Sequence, residues 1–270
     1  MIDSGVANTD TLARRFGGTA RLYGVHGANA ISIAHVVVVG IGGVGSWTAE
    51  ALARSGVGRL TLIDLDHVAE SNVNRQVHAL SNTLGQSKVG AMKERIALIN
   101  PACEVRCIEE FVVPENWPVL LSDLADDRFD RIDALVDACD QVKAKVVMAH
   151  WAKLQSVCFV SLGAAGGKRQ AQMVELGDLS GVTHDPLLAQ LRYRLRKEHG
   201  APNEGKKMGV QCVFSREAVA PPDPSCHVEG DGSLNCHGYG SSVMVTATFG
   251  LVAASAVVNF LAGSLAKAVK

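Results

Sequence analysis

The stretch that decides the fold is HVVVVGIGGVGSWTAEALARSGVGRLTLID, residues 35–64. Its β-branched run at 35–40 is typical of a strand that is buried on both faces of a parallel sheet. Helix-forming residues follow at 46–55 and stop at Gly56, where a left-handed helix end is easily formed. A second apolar strand is indicated at 59–64. The order strand, glycine turn, helix, strand predicts one βαβ unit.

The same alternation continues beyond this unit and predicts a Rossmann-like α/β fold with a doubly wound, mostly parallel sheet. Further strands are predicted at 104–108, 132–136 and 157–162, and further helices at 87–99, 117–124, 142–154 and 187–198. We divide the chain into an N-terminal arm (1–34), a core (35–167) and an irregular second half (168–270).

Composition sets the broad class of the protein. With 270 residues, 47% of them hydrophobic, the chain can bury a sizeable core. Its net charge of -1 gives no overall attraction to nucleic acid or anionic membrane, so a polyanionic partner needs a local basic patch. The seven cysteines are an odd number and form no pair of CxxC motifs. The N-terminus shows no signal-peptide pattern. We therefore expect a cytoplasmic protein without a cysteine zinc site.

Two segments of the second half stand out. Residues 243–261 carry no charge and are nearly long enough to span a bilayer, which leaves membrane association as the alternative location. Their small residues, together with Thr246, Thr248, Ser255 and Asn259, favour a buried core helix. Residues 220–240 are rich in turn formers and predict a long loop or lid.

The glycine turn Gly40, Gly42, Gly43 and Gly45 follows a strand and opens a helix, so its N–H groups can face a phosphate. Asp64 lies 24 positions after Gly40, where a carboxylate accepts hydrogen bonds from a ribose. This pattern predicts a nucleotide site, yet it suits an NAD-linked oxidoreductase as well as an ATP-using enzyme.

The motifs that follow the turn are DLDHVAESNVNRQ (64–76), Lys88 in GQSKV, and DACD (137–140). Over roughly residues 15–167 this series resembles the ubiquitin-activating-enzyme-like adenylating family, which includes the bacterial thiamine and molybdopterin sulfur-carrier activators. The resemblance implies an ATP-binding adenylating core in which Asp64 holds the ribose. The cofactors it implies are ATP and Mg²⁺. The implied nucleotide-binding residues are Gly40, Gly42, Gly43, Gly45, Asp64, Asp66, Asn74, Arg75 and Lys88, with Arg75, Lys88 and Asp140 catalytic and Asp140 the magnesium ligand.

The chemistry of adenylation needs those residue types independently. Attack of a carboxylate on the α-phosphorus brings two anions together, so cations must offset the developing charge. The family also implies a homodimer that supplies an arginine from the N-terminal segment of the opposite subunit. Arg14, Arg15 and Arg21 lie in the corresponding region, and the sequence does not choose among them.

The opening Arg15-Phe16-Gly17-Gly18 and the motif at 20–24 resemble one subgroup of the family along the whole chain. That resemblance implies ATP-dependent cyclisation of N6-threonylcarbamoyladenosine in tRNA, with loss of water, through an acyl-adenylate. The second half then binds substrate and tRNA, with no role for DNA. Its candidate tRNA-binding residues are Lys168, Arg169, Arg192, Arg194, Arg196, Lys197, Lys206 and Lys207, although a merely solvated helix face would look similar.

Other functions stay open at this point. An adenylyltransferase that activates a small sulfur-carrier protein is the main alternative, and the missing CxxC pairs count against it; a sulfur-relay protein is a further candidate partner. A non-catalytic nucleotide-binding module and an NAD-linked oxidoreductase are the others. Covalent catalysis is unproven; the candidate thiols are Cys212, Cys226 and Cys236, the last two beside His227 and His237.

Overall fold

A seven-stranded sheet forms the centre of the protein. The structure is a computed structural model that describes residues 9–122, 131–203, 205–225 and 239–268. The strands are β1 (His35–Val39), β2 (Arg59–Ile63), β3 (Glu104–Ile108), β4 (Ala134–Asp137), β5 (Cys158–Leu162), β6 (Val174–Asp178) and β7 (Gln211–Ser215). Their spatial order is β3-β2-β1-β4-β5-β7-β6, and every neighbouring pair is parallel except β6 and β7. The predicted Rossmann-like, mostly parallel α/β sheet is confirmed.

Helices cover both faces of the sheet. They are α1 (Thr9–Ile33), α2 (Gly45–Arg54), α3 (Lys88–Ile99), α4 (Val119–Ser122), α5 (Val142–Gln155), α6 (Pro186–His199) and α7 (Val243–Ala268). Val36 and Val38 of β1 pack with α2, α3 and α7 on one face, whereas Val37 and Val39 pack with α5 and α6 on the other. All four valines are 0–3% exposed, so the β-branched run is buried on both sides as its composition predicts.

Elements of the core half lie within a few residues of their predicted positions, but three elements were not foreseen. One is α1, which Gly24 interrupts with a left-handed φ of 74°. The others are β6 and β7, which add an antiparallel edge to the sheet. The second half therefore completes the sheet of the core rather than forming one of its own. Within the predicted lid loop, 220–225 contain no helix or strand, while 226–238 lie outside the described residues.

The uncharged C-terminal segment forms α7, which lies in the core. Residues 243–263 are long and apolar enough to cross a membrane by composition. Val245, Phe249, Ala253 and Val257 are nevertheless completely buried, and they pack against the same face of the sheet as α2. The expected core helix accounts for the apolar composition, and nothing in the described fold supports association with a membrane.

Candidate active site

The glycine turn begins where β1 ends and lies against the end of the neighbouring strand β4. Gly40 has a φ of 86°, a conformation that glycine adopts without steric cost. A Cβ at this position would lie 2.8 Å from the carbonyl oxygen of Ala138. A Cβ at Gly45 would lie only 1.8 Å from the carbonyl oxygen of Gly40, so the turn can close onto α2 only with glycine there.

Two glycines of the turn are less crowded by backbone. No atom lies within 4 Å of a Cβ built on Gly42, so this glycine borders open space. A Cβ on Gly43 would lie 3.3 Å from Cγ of Arg75. The arginine stem therefore lies beside the turn, and α2 begins at Gly45, directly after the turn, so its N-terminus lies at the carboxyl edge of the sheet. Such an edge, where a glycine turn opens a helix, binds phosphates in many nucleotide-binding folds.

Asp64 follows β2, and its carboxylate binds the backbone of the glycine turn. Its two carboxylate oxygens accept hydrogen bonds from the backbone N–H groups of Ile41 (2.6 Å) and Asp66 (2.9 Å). Burial raises the pKa of the Asp64 carboxyl, and the nearby Lys88 ammonium opposes that increase. The resemblance implied a ribose ligand at this position; the structure adds that Asp64 also fixes the glycine turn.

Lys88 is the first residue of α3, where the Ser87 side chain caps the helix by accepting a hydrogen bond from the N–H of Gly90. The lysine is 6% exposed, and its ammonium lies 2.6 Å from the Asp66 carboxylate. Asp66 remains half exposed. An ammonium carries three N–H donors, so this ion pair leaves donors for a phosphate.

Arg75 is held in place from three sides. Its guanidinium donates to the Ser71 carbonyl oxygen (2.7 Å) and to the side-chain oxygen of Asn74 (2.9 Å). The indole N–H of Trp47 in α2 donates to the Arg75 carbonyl oxygen (2.9 Å). The side-chain amide of Asn74 donates to the carbonyl oxygen of Ser241, just before α7. Trp47 and Ser241 carry no local motif that ties them to Arg75, so the sequence does not indicate this support.

Asp140 is exposed and follows β4 at the same edge of the sheet. Its one described side-chain contact is a long hydrogen bond from the Gln141 amide (3.4 Å). Within 9–122, 131–203, 205–225 and 239–268, no three acidic, histidine or cysteine side chains gather into a metal site. A single carboxylate fits Mg²⁺, which usually takes its remaining ligands from water and nucleotide phosphates. The other predicted residues, from the turn to Lys88, lie at this edge too.

The predicted tRNA-binding residues do not form one patch. Lys168 and Arg169 follow β5 at the carboxyl edge. Helix α6 starts at that edge, where Asp185 bonds to the N–H of Ala164, and it is about 21 Å long. Its last turns therefore lie towards the opposite edge, as do Lys206 and Lys207, which precede β7. The six residues carried by α6 and by the segment before β7 are thus separated from the first two.

Burial corrects the role of two of these cations. Lys168 is 2% exposed, and its ammonium donates to the carbonyl oxygens of His184, Ser215 and Glu217 at 2.7–3.3 Å. Arg192 donates to two backbone carbonyl oxygens, 2.7 and 3.1 Å away. Because these groups are already engaged inside the protein, Lys168 is not available to a phosphate backbone and Arg192 is poorly available. Charge in the sequence alone could not reveal this.

The remaining five cations of α6 and the following segment are more accessible. Arg194 pairs with Glu198 (3.4 Å), Lys197 lies over the exposed Tyr193 ring, and Lys206 and Lys207 are exposed. Arg196 donates from its Nε to the Pro202 carbonyl oxygen, which leaves its other donors for a partner. These residues form the part of the basic surface that can meet a large anionic ligand.

The structure also shows the surroundings of one candidate thiol, Cys212, and one N-terminal arginine, Arg15. Cys212 is fully buried, and burial raises the pKa of its thiol well above the usual range, so it is not a reactive thiolate. Cys226, Cys236, His227 and His237 lie outside the described residues. Arg15 donates to the carbonyl oxygens of Leu98 and Ile99 at the end of α3.

The sheet order, the glycine turn on α2, and the carboxylate and cations around it define a Rossmann-type nucleotide-binding protein. The chain belongs to the ThiF family, whose model matches residues 17–269. This confirms the resemblance to the ubiquitin-activating-enzyme-like adenylating proteins that the motifs at 64–76 and 137–140 indicated.

Within this family, the chain is similar to tRNA threonylcarbamoyladenosine dehydratases. It is 42% identical to the enzyme of Escherichia coli (strain K12) over 259 residues, which cover 93% of this chain and 94% of the relative. The crystal structure of the E. coli dehydratase TcdA in complex with ATP superposes with a TM-score of 0.85 at 40% identity, covering 97% of this chain and 99% of the other. The complex of that enzyme with AMP gives a TM-score of 0.84 at 40% identity, with 98% and 100% coverage.

Proposed function

We propose that this protein is an ATP-dependent tRNA threonylcarbamoyladenosine dehydratase, which cyclises the N6-threonylcarbamoyl group of a tRNA base. The observation that carries the proposal is similarity to a dehydratase over nearly the full length of both chains, residues 168–270 included. The binding of ATP and of AMP to that relative fits an enzyme that starts with ATP and ends with AMP.

In the first step, the free carboxylate of the threonylcarbamoyl group attacks the α-phosphorus of ATP. The new bond gives an acyl-adenylate, and pyrophosphate leaves. The N–H groups of the glycine turn and of α2 are placed to hold phosphate oxygens, and the fixed guanidinium of Arg75 and the Lys88 ammonium offset the negative charge that accumulates. Because Lys88 and Arg75 are already anchored to the protein, little reorganisation is needed when the charge develops.

In the second step, a nucleophilic group of the same threonylcarbamoyl chain attacks the acyl carbon. Its proton is lost to solvent, the ring closes and AMP leaves, so that the base has lost one water. An intramolecular attack of this kind has a high effective concentration and needs no enzyme thiol. The burial of Cys212 agrees with this scheme.

Asp140 is the residue we propose for holding Mg²⁺ beside the transferred phosphorus, where a bound Mg²⁺ would supply additional positive charge. Its exposure at the end of β4, next to the glycine turn, suits a carboxylate that completes its coordination with a nucleotide. Asp64 is proposed to hold the ribose with the oxygen lone pairs that its two backbone hydrogen bonds leave available.

The tRNA backbone is proposed to contact Arg169 at the carboxyl edge of the sheet. Towards the opposite edge it is proposed to contact Arg194, Arg196, Lys197, Lys206 and Lys207. Accessible cations attract phosphates without reading sequence, so this surface would position the tRNA rather than select the base. Lys168 and Arg192 would act indirectly, by holding the loops around α6.

A cytoplasmic homodimer is proposed as the working form. Leu22 and Val25 of α1 and Met244 and Leu251 of α7 are 50–75% exposed on neighbouring helices, which suits burial against a second copy. Arg14 and Arg21 are then the better candidates for an arginine donated to the opposite subunit, because Arg15 already caps α3 of its own chain.

The test is formation of AMP from ATP in the presence of tRNA that carries threonylcarbamoyladenosine. We expect AMP and pyrophosphate to be formed with this tRNA and not with tRNA from cells that lack the modification. Turnover that is the same with both tRNAs would contradict the proposal.

The alternative, activation of a small sulfur-carrier protein, predicts ATP–pyrophosphate exchange that is stimulated by a protein ending in Gly-Gly. It also makes a sulfur-relay protein a natural partner. The absence of paired CxxC motifs from the sequence disfavours it.

A further inference from the structure

A buried ion pair lies directly beneath the turn that carries Asp140. Lys145 in α5 and Asp137 at the end of β4 are both 0% exposed, and the ammonium lies 3.0 Å from the carboxylate. Burial disfavours the ammonium, but the adjacent Asp137 carboxylate raises the pKa of Lys145 above its usual value, so the lysine remains charged. Two charges removed from water in this way are tolerated only when their remaining hydrogen bonds are satisfied.

The Asp137 carboxylate uses its other hydrogen bonds to shape the turn. Its Oδ1 accepts from the N–H (3.3 Å) and the thiol (3.0 Å) of Cys139, the residue before Asp140. Its Oδ2 accepts from the Ser161 hydroxyl (2.7 Å) in the neighbouring strand β5. The turn 137–140 is therefore tied to the carboxylate at its start, and Gly40 packs on the Ala138 carbonyl in its middle.

Lys145 connects this turn to the half of the protein that is proposed to bind substrate. Its ammonium also donates to the carbonyl oxygen of Leu162 (2.8 Å), at the carboxyl end of β5. Two residues later the N–H of Ala164 donates to Asp185, whose carboxylate caps the start of α6. One lysine thus joins the ATP-side turn to β5, and the loop that follows β5 contacts the start of α6.

We propose that Lys145 is a positioning residue, whose ammonium holds the turn 137–140, and with it Asp140, in register with the glycine turn. This inference rests on the proposed function for its effect on catalysis, but its effect on the turn is a property of the chain alone. Lys145 is too deeply buried to contact a nucleotide, so it acts through Asp137 and the Leu162 carbonyl.

The experiment compares Lys145→Met, Asp137→Asn and the double variant with the wild-type protein. Lys145→Met leaves a buried carboxylate without its partner and is expected to unfold at a lower temperature. The double variant removes that unpaired charge, so its melting temperature should recover towards wild type. If Lys145 positions Asp140, kcat in the double variant still falls about 100-fold, since displacement by about 1 Å can cost that much, while the Kd for ATP changes less than about threefold.

A second readout does not depend on turnover. Amide hydrogen exchange, measured by mass spectrometry, should be faster at 138–140 in Lys145→Met as well as in the double variant, because both lack the ammonium that holds the Asp137 carboxylate in place. Arg95→Met is the matched control, because it breaks another ion pair of a buried carboxylate, with Glu50 (2.7 Å), between α2 and α3. It should leave both kcat and exchange at 138–140 as in wild type.

A double variant with wild-type kcat, or with unchanged exchange at 138–140, would overturn the positioning role. The same holds if Arg95→Met loses kcat to a similar extent, because the effect would then follow from general destabilisation. Absence of tRNA-dependent turnover in the wild-type protein would contradict the proposed function instead, and exchange at 138–140 would still decide the role of Lys145.

Discussion

Two glycines of the same turn should respond to alanine in opposite ways. At Gly45 the new Cβ would lie 1.8 Å from the Gly40 carbonyl oxygen, where at least 3.0 Å is needed, so the backbone must move by about 1.2 Å. Overpacking of this kind costs about 3 kcal/mol, which lowers the Tm of a chain of this size by about 6–12 °C. At Gly42 no atom lies within 4 Å, so alanine fits and should raise stability slightly, by about 0.5 kcal/mol.

For ATP binding, in contrast to stability, alanine should be harmful at Gly42. The space beside Gly42 is where phosphate is expected, so Gly42→Ala should weaken ATP binding at least about tenfold, or roughly 1.4 kcal/mol. Thermal unfolding with and without ATP measures both effects. We expect Gly42→Ala to raise the Tm of the free protein by about 1–2 °C. At an ATP concentration about 100 times the wild-type Kd, it should lose at least about half of the stabilisation of roughly 2.7 kcal/mol that ATP gives the wild-type protein. Wild-type ATP affinity in Gly42→Ala, or a wild-type Tm in Gly45→Ala, would refute the geometry assigned to the turn.

The remaining predictions concern charge. Asp140→Asn should reduce kcat about 100-fold or more while the Kd for ATP, measured by calorimetry, stays near wild type; unchanged turnover would refute the magnesium role. Replacing Arg194 and Lys197 by alanine should weaken tRNA binding and lower its log–log salt slope by about 2, whereas Arg192→Ala should lower the melting temperature with little change in that slope. Burial lowers the pKa of His78 in the folded protein to about 4, whereas in the unfolded chain it is near 6.5. Below pH 6.5 the unfolded chain therefore binds a proton at His78 more readily than the folded protein does. The stabilisation is complete above that pH and decreases as pH falls towards 4, by about 2 kcal/mol at pH 5; urea unfolding should show this loss in wild type and much less of it in His78→Gln.

The sequence predicts the elements around the glycine turn well because local signals agree there. The β-branched run before Gly40, the helix signal and the Asn100-Pro101 stop after α3 each act within a few residues. The edge strand β6 was not foreseen because its residues are mostly half exposed or exposed and its pairing with β7 is a long-range choice. Sequence gives no local sign of such a pairing.

Only part of the candidate site could be predicted, because only some of its residues lie in local sequence motifs. Asp64, Arg75 and Lys88 belong to an ordered series of motifs, so a resemblance could identify them. Lys145 has no such motif of its own, and its role depends on burial beneath the turn that carries Asp140. Lys168 shows the converse error, since a lysine in a glycine-rich loop indicates a surface charge, yet here it is enclosed by three carbonyl groups.

The most direct test of the proposed function is mass spectrometry of the nucleosides of tRNA that has been incubated with the purified protein and ATP. We expect N6-threonylcarbamoyladenosine to be converted to a nucleoside lighter by one water, and we expect this conversion to need ATP and to be abolished by Lys88→Met. If ATP is consumed while the mass of the modified nucleoside stays unchanged, the protein acts on another carboxylate and the proposed function is wrong.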